Sequence, residues 1–240
     1  MLQRLDKILS DAGVASRREL KSILRAGRVQ VDGAAARDGA AKFDPDAVTV
    51  TLDGAPVRTP HRVVLMLHKP AGYVTSTEDP RDKTVMELLP EPYRKRGLFP
   101  VGRLDKATEG LLLFTNDGAL GHALTSPRHG TEKCYYARHD GRASEADVQA
   151  FADGLTLRDG TVCRPAKLEV LTDGECRVTV TEGKYHQVRR MMAARGLPVT
   201  YLRREREGAL TLGGLAPGAV RELTEAEIAG LSVGENAESK

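Results

Sequence analysis

Four short stretches of this sequence contain residues that could do chemistry. The longest runs from Gly102 to Leu113 and reads Gly-Arg-Leu-Asp-Lys-Ala-Thr-Glu-Gly-Leu-Leu-Leu. It places one carboxylate, Asp105, between Arg103 and Lys106 in a loop bounded by glycines. A loop carboxylate held between strands is a common position for a catalytic group. The same spacing suits a turn aspartate that binds its own backbone, and taken alone it favours that turn.

A second stretch, from Gly183 to Met191, follows a predicted strand and opens a predicted helix. A helix N-terminus with nearby arginines attracts anions. If Arg189 meets Asp105, its guanidinium would keep that carboxylate ionised by charge pairing. The alternative is an ordinary basic helix end in water.

The remaining two stretches are shorter and less specific. Lys133-Cys134-Tyr135-Tyr136 places Tyr135 in a strand that faces either the core or a cleft, and a single tyrosine is more commonly part of the core. Lys69-Pro-Ala-Gly72-Tyr follows a buried strand, and by itself it indicates only a turn.

The elements that must position these residues follow from the apolar pattern. Strands are predicted at 63–67, 111–115, 168–171 and 176–181, and helices at about 144–153 and 186–195. Strands outnumber helices and turn signals are frequent. The pattern predicts an α+β fold built on a mixed, largely antiparallel sheet.

The N-terminal part of the sequence has a different character. Leu5, Ile8 and Leu9 recur at helical spacing, and Ser16 with Glu19 forms a capping-box signal for a second helix. A hairpin signal follows. We expect four segments: a domain at 1–55, a Pro-containing linker at 56–62, a second domain at 63–232 and a disordered tail at 233–240.

Charge is unevenly distributed although the net charge is only +3. Residues 1–28 carry seven Lys or Arg against three acids, and residues 184–206 carry seven against one. Such patches suit an anionic partner such as nucleic acid, although each could also be a solvated helix face.

Three cysteines, Cys134, Cys163 and Cys176, form no C-x-x-C pair and predict neither a zinc site nor a disulfide framework. The spacing of the histidines at 122, 129, 139 and 186 does not favour a metal site. The sequence has neither a signal-peptide pattern nor an apolar run of membrane-spanning length. We therefore expect a cytoplasmic protein without metal or membrane attachment.

Taken together and in this order, the four stretches resemble the motif set of bacterial ribosomal RNA pseudouridine synthases. The Gly183–Met191 and Leu124–Arg128 stretches are more similar to the small-subunit type than to the large-subunit type. Residues 1–55 resemble an S4 RNA-binding domain. That resemblance is carried by Arg4-x-Asp6-x-x-Leu9, Ser16-Arg17-Arg18 and Gly27-x-Val29-x-Val31-Asp32-Gly33.

The resemblance implies an isomerase, without a cofactor, that converts a uridine in 16S ribosomal RNA to pseudouridine, with uridine 516 as the expected target. It implies a monomer acting on a small-subunit assembly intermediate. Asp105, Tyr135 and Arg189 would be catalytic. The residues expected to bind substrate or RNA are Arg103, Val188, Arg190, Lys69, Arg17, Arg18, Lys21 and Arg25.

Three alternatives remain open at this point. The target could lie in 23S RNA, or the chain could be a non-catalytic S4-domain RNA-binding protein. A glycoside hydrolase also acts at an anomeric carbon, but it commonly needs two carboxylates, and only Glu109 lies near Asp105 in the sequence. One position departs from the family pattern: Glu207 stands where an apolar residue is expected, which leaves the packing near Gly208 open.

Overall fold

The computed structural model describes residues 2–15, 17–45, 47–57, 62–94, 96–126 and 130–232, without the side chains of Arg17 and Ser232. The chain divides into two compact units, Met1–Arg62 and Val63–Lys240. We call them the N-terminal and the C-terminal unit. The predicted tail at 233–240 lies outside the described residues.

The N-terminal unit consists of two short helices and small antiparallel sheets. Its elements are β1 Gln3–Arg4, α1 Leu5–Asp11, α2 Arg17–Arg25, β2 Val29–Val31, β3 Ala34–Ala35, β4 Lys42–Phe43, β5 Val50–Leu52 and β6 Ala55–Pro56. The apolar faces of α1 and α2 pack on β2 and β5, so that Leu5, Leu9, Leu20 and Val29 are fully buried. Ser16, the predicted helix cap, lies outside the described residues.

The first residue of the predicted linker, Pro56, belongs to a strand. Pro56 pairs with Thr51, and Ala55 pairs with Leu52, so that β6 extends the small sheet beyond the Asp53-Gly54 turn. Proline is tolerated here because β6 is an edge strand, where its missing N–H leaves no partner unsatisfied. Within the predicted linker, residues 58–61 lie outside the described residues.

The C-terminal unit contains the larger sheet. Its elements are β7 Val64–Lys69, a 3-10 turn Val85–Leu88, α3 Glu91–Arg94, β8 Phe99–Val101, β9 Glu109–Thr115, α4 Gly118–Thr125, β10 Lys133–His139, α5 Glu145–Asp153, β11 Leu155–Thr156, β12 Val162–Cys163, β13 Lys167–Thr172, β14 Glu175–Val180, α6 Gln187–Ala194, β15 Val199–Glu207, β16 Leu210–Thr211, β17 Val220–Glu222 and α7 Glu225–Ser232.

The strands of this sheet follow the order β13-β14-β10-β15-β9-β7-β17, with β16 beside β15 and β8 beside β9. Each pairing is antiparallel except that of β9 with β15, which is parallel. The predicted α+β fold with a mixed, largely antiparallel sheet is confirmed. The single parallel pairing joins the two halves of the sheet.

The two halves of the sheet are buried differently. On the β7–β9 side both faces carry apolar clusters, and this explains the unbroken run of buried leucines from Leu111 to Leu113. On the β13–β14 side one face packs against α5 and α6 around Phe151 and Met191. The other face is exposed, so β14 alternates between buried and exposed residues.

Among the elements that were not predicted from the sequence, two have a clear physical reason. The longest strand, β15, carries charged residues on both faces, and its pattern therefore lacks an apolar period. The Asn116-Asp117-Gly118 segment has the composition of a turn but is the start of a helix. The Asp117 carboxylate accepts hydrogen bonds from the backbone amides of Ala119 and Leu120, at 2.9 and 3.2 Å, and so caps α4.

Glu207, the residue that departs from the family pattern, is a buried counter-ion. Its side chain is 4% exposed, and its carboxylate lies 3.2 Å from Arg204 Nη2 and 3.9 Å from Lys133 Nζ. The contact with Arg204 lacks hydrogen-bond alignment, so the pair is held by charge. Burial lowers the pKa of the Lys133 ammonium, and Glu207 opposes that shift. This carboxylate therefore offsets one buried and one half-buried cation in the sheet.

We expect Glu207→Gln to lower the free energy of unfolding by about 3 kcal/mol, because it leaves Arg204 buried without an anion. Urea unfolding of the variant measures this loss. Glu132→Gln is the matched control, since Glu132 pairs with Arg206 but is 54% exposed, and it should cost less than about 1 kcal/mol. Equal stability of the two variants would contradict a structural role for Glu207.

No helix among the described residues has both the length and the apolar character needed to cross a membrane.

Candidate active site

The loop that carries Asp105 is held from beneath by a buried lysine. Lys69 is fully buried at the end of β7. Its ammonium donates to the carbonyl oxygens of Asp105 at 3.1 Å, Lys106 at 3.4 Å and Thr108 at 2.8 Å. It also donates to the carbonyl of Pro70 at 3.1 Å. A single cation therefore fixes the loop backbone at the candidate catalytic carboxylate and in the residues that follow it.

Two further contacts hold this loop. The Thr75 hydroxyl donates to the Leu104 carbonyl at 2.7 Å and accepts from the Leu104 amide at 3.1 Å. The Gly72 amide donates to the Lys106 carbonyl at 2.8 Å. The Lys69-Pro-Ala-Gly72 stretch is thus the structural support of the Asp105 loop. Sequence reasoning missed Thr75, which carries no signal beyond its proximity to this stretch.

This result corrects one prediction. Lys69 was expected to bind substrate or RNA, but its side chain has no exposed surface. Burial lowers the pKa of its ammonium to about 8, and the negative charges of Asp105 and Glu109 oppose that shift. Lys69 positions the loop from the interior, and it has no face to offer to a ligand.

The site is organised along one row of residues that crosses the sheet. Lys69 of β7 stands opposite Gly110 of β9, Gly110 opposite Arg204 of β15, and Arg204 opposite Tyr135 of β10. Gly110 has a φ of 110°, and a Cβ there would lie 2.2 Å from the Arg204 carbonyl oxygen. Only glycine permits this approach, which brings the Asp105 loop toward Tyr135.

A cavity of about 70 Å³ brings three predicted catalytic residues together. Asp105 comes from the loop before β9, Tyr135 from β10 and Arg189 from α6. Tyr135 is half-buried between two apolar clusters. Burial raises the pKa of its hydroxyl and the nearby Arg204 guanidinium opposes this shift, so that the phenol is neutral near pH 7.

The expected ion pair between Arg189 and Asp105 is not formed among the residues that the structure describes. The Arg189 guanidinium donates instead to the carbonyl oxygens of Val199 at 3.1 Å and Ala107 at 3.5 Å. These bonds hold Arg189 at the cavity wall, where its charge faces the loop. The reason is local, because the Ala107 and Val199 carbonyls are within reach of the guanidinium and accept hydrogen bonds from both of its terminal nitrogens.

The imidazole of His186 contacts the Asp105 carboxylate. Its Nε2 lies 3.4 Å from Asp105 Oδ1, with side chains 39% and 34% exposed. His186 adopts the left-handed conformation, with a φ of 48°. Such strain in a non-glycine residue is typical of functional sites. His186 was within the predicted stretch but was not singled out, since only folding brings it to Asp105.

The other predicted residues of the C-terminal unit divide between two places. Arg103 and Val188 line the cavity with Asp105, Arg103 exposed and Val188 buried. Arg190 does not line it. Its guanidinium is directed to the Asp159 carboxylate at 2.5 Å and the Tyr185 carbonyl at 3.3 Å.

In the N-terminal unit, the basic side chains predicted to bind RNA lie on α2. Arg18, Lys21 and Arg25 are exposed on that helix. Lys21 and Arg25 also line a cavity of about 310 Å³ within this unit. The side chain of Arg17 lies outside the described residues.

In the part of the chain that the structure describes, no group of three His, Cys, Asp or Glu residues could hold a metal ion. Of the four histidines considered, His129 lies outside that part. Cys134, Cys163 and Cys176 are free and buried. The charged and titratable groups that line the cavity include two carboxylates (Asp105 and Glu182), two guanidiniums (Arg103 and Arg189), the Tyr135 phenol, the His186 imidazole and the Lys184 ammonium.

We expect the pKa of Lys69 to make stability depend on pH. The folded-state pKa of about 8 lies below the ordinary value of about 10.4. Between these values the unfolded chain binds more protons, so the free energy of unfolding rises with pH, by at most about 1.4 kcal/mol per pH unit. Urea unfolding of the wild type and of Lys69→Met from pH 7 to 10 measures the contribution of Lys69 to this pH dependence. Parallel curves for the two proteins would contradict it.

Comparison with known proteins agrees with this geometry. The family model for RNA pseudouridylate synthase matches residues 63–194, and that for the S4 domain matches residues 3–48. A crystal structure of a pseudouridylate synthase superimposes with a TM-score of 0.69 and 33% identity, covering 95% of this chain and 99% of that one.

Two relatives match over most of their length. The uncharacterized RNA pseudouridine synthase YtzG of Bacillus subtilis is 43% identical, covering 94% of this chain and 96% of that protein. Ribosomal small subunit pseudouridine synthase A of Escherichia coli (strain K12) is 44% identical, covering 94% and 98%. The chain therefore belongs to the RNA pseudouridine synthase family of isomerases, with an S4 domain at its N-terminus.

Proposed function

We propose that this protein converts one uridine of 16S ribosomal RNA to pseudouridine, with uridine 516 as the target. The observation that carries the proposal is the cavity that collects Asp105, Tyr135 and Arg189 from three separate elements. Relatives of similar length that are named small-subunit enzymes support the choice of 16S RNA.

The reaction rearranges a nucleoside without redox chemistry. The N1–C1′ glycosidic bond breaks, the uracil turns, and C5 bonds to C1′. The proton at C5 is then lost and N1 gains one, so the product has the composition of the substrate. We assign the essential carboxylate to Asp105, which either attacks C1′ or removes a proton from C2′. Its side chain is half-exposed, so a uridine can reach it.

Tyr135 lines the same cavity as the carboxylate and is proposed to stack on the uracil. Its raised pKa keeps the phenol neutral in the resting site. To take the C5 proton as a base, the phenol must first lose its own proton to water, and the buried Arg204 is placed to stabilise the resulting phenolate, which the C5 proton then converts back to the phenol. The chemistry needs an extruded base, because C1′ and C5 are blocked in a stacked duplex.

Arg189 is proposed to act through its field and not through contact with the carboxylate. Its charge lies at the wall of the cavity, bonded to the Ala107 carbonyl of the catalytic loop. Val188 supplies an apolar wall for the base. Arg103, exposed at the rim, is proposed to occupy the space that the extruded uridine leaves or to bind the RNA backbone.

We assign RNA docking to residues 1–55 and catalysis to residues 63–232. The exposed cations of α2, Arg18, Lys21 and Arg25, together with Arg17, are proposed to bind phosphates, which gives affinity and register but no base reading. The proposed substrate is a small-subunit assembly intermediate in the cytoplasm. The protein is proposed to act as a monomer.

We expect Asp105→Asn to lower the rate of pseudouridine formation by at least about 10²-fold, because the amide can neither attack C1′ nor take a proton. Release of tritium from [5-³H]uridine in a 16S transcript measures the rate, and filter binding measures RNA affinity, which should be unchanged. Asp173→Asn is the matched control, an exposed acid in the same unit. Full activity of Asp105→Asn would refute the assignment, and release of free uracil would indicate a glycoside hydrolase.

Mapping pseudouridines in cells that lack this protein tests the target. We expect loss of one 16S site, at uridine 516, restored by the wild-type gene and not by Asp105→Asn. Loss of a 23S site instead would assign the protein to the large-subunit enzymes. Unchanged maps of both RNAs would contradict a ribosomal target.

A further inference from the structure

A groove of about 530 Å³ lies beside the catalytic cavity in the C-terminal unit. Tyr185 lines the groove, while its neighbours in the chain, Lys184 and His186, line the cavity. The groove and the cavity therefore share one wall. Leu157 and Ala193 give the groove an apolar lining, and its role is not explained by the chemistry at Asp105.

Tyr185 presents an aromatic face to this groove. Its side chain is 75% exposed, although aromatic rings are usually buried. One face of the ring stacks on the imidazole of His186, with centroids 3.9 Å apart and planes inclined by 15°. The opposite face is open. A ring already held flat by a stacking partner is preorganised to take a second one.

The cations of the groove are arranged around this ring. Arg190 bonds the Tyr185 carbonyl and the Asp159 carboxylate, so it fixes the backbone of the tyrosine and neutralises the single acid of the groove. Arg158 is exposed, and within the described ranges it makes no hydrogen bond or ion pair. An open aromatic face with one unneutralised guanidinium beside it suits a base joined to a phosphate.

We propose that this groove binds an unpaired nucleotide adjacent to the target uridine, with its base stacked on Tyr185 and its phosphate on Arg158. This inference rests on the proposed function, since it takes the neighbouring cavity to hold the extruded uridine. Holding a flanking nucleotide would keep the strand open while the uridine is in the cavity. The Tyr185–His186 stack connects the groove to Asp105, because His186 Nε2 lies 3.4 Å from that carboxylate.

The test of stacking uses Tyr185→Ala and Tyr185→Phe in the full-length protein, with unchanged thermal unfolding as the check on folding. The probe is a single-stranded RNA that carries 2-aminopurine next to a uridine. We expect the wild type and Tyr185→Phe to quench its fluorescence, and Tyr185→Ala not to. The KM of Tyr185→Ala for 16S RNA should rise about tenfold, with a smaller change in kcat.

The test of the phosphate contact uses Arg158→Gln, with Arg142→Gln as the matched control. Arg142 is an equally charged side chain, 84% exposed in the same unit and outside the groove. We expect Arg158→Gln to reduce the slope of log Kd against log salt by about one, and Arg142→Gln to leave it unchanged. Identical slopes for both variants would overturn the phosphate contact.

The stacking site would be overturned if Tyr185→Ala quenched the 2-aminopurine fluorescence and bound RNA as well as the wild type does. This holds even if the wild type forms pseudouridine. If the wild type forms none in either ribosomal RNA, the proposed function fails separately. The fluorescence and salt measurements need binding but no catalysis, so they decide the groove in that case too.

Discussion

Two buried cations, Lys69 and Arg204, flank Gly110 in one row across the central sheet. Lys69 binds the carbonyls of the Asp105 loop, and the Arg204 Nε donates to the Leu111 carbonyl at 2.8 Å. Both cations are removed from water and both bind backbone carbonyls near the point where the loop enters β9. The position of the Asp105 carboxylate depends on this row.

Burying two cations is unfavourable unless their charge is offset. The protein offsets the charges of Lys69 and Arg204 in different ways. Lys69 is surrounded by carbonyl dipoles, and its pKa falls to about 8. Arg204 keeps its charge beside the buried carboxylate of Glu207. An apolar residue at position 207 would leave that guanidinium to other partners, so the departure from the family pattern is accommodated by an ion pair in place of apolar packing.

The surroundings of Asp105 differ from the arrangement that the motifs suggested. Arg189 bonds the backbone of the loop, and the imidazole of His186 lies 3.4 Å from the carboxylate. The same imidazole stacks on Tyr185, which faces the neighbouring groove. The Gly183–Met191 stretch therefore serves both cavities: Val188 and Arg189 on one side, Tyr185 and Arg190 on the other. Its residues are adjacent in sequence but face two different spaces.

The sequence by itself determined the family, the α+β class, the S4 domain and the stretches that form the site, because ordered motifs and apolar periods are local properties. It also singled out Glu207 as unusual. The tertiary structure decided which partners these residues meet. Lys69 became an internal support, β15 formed from a charged segment, and Asp105 met His186. Those outcomes depend on strand register and burial, which bring together residues many positions apart and which no local pattern encodes.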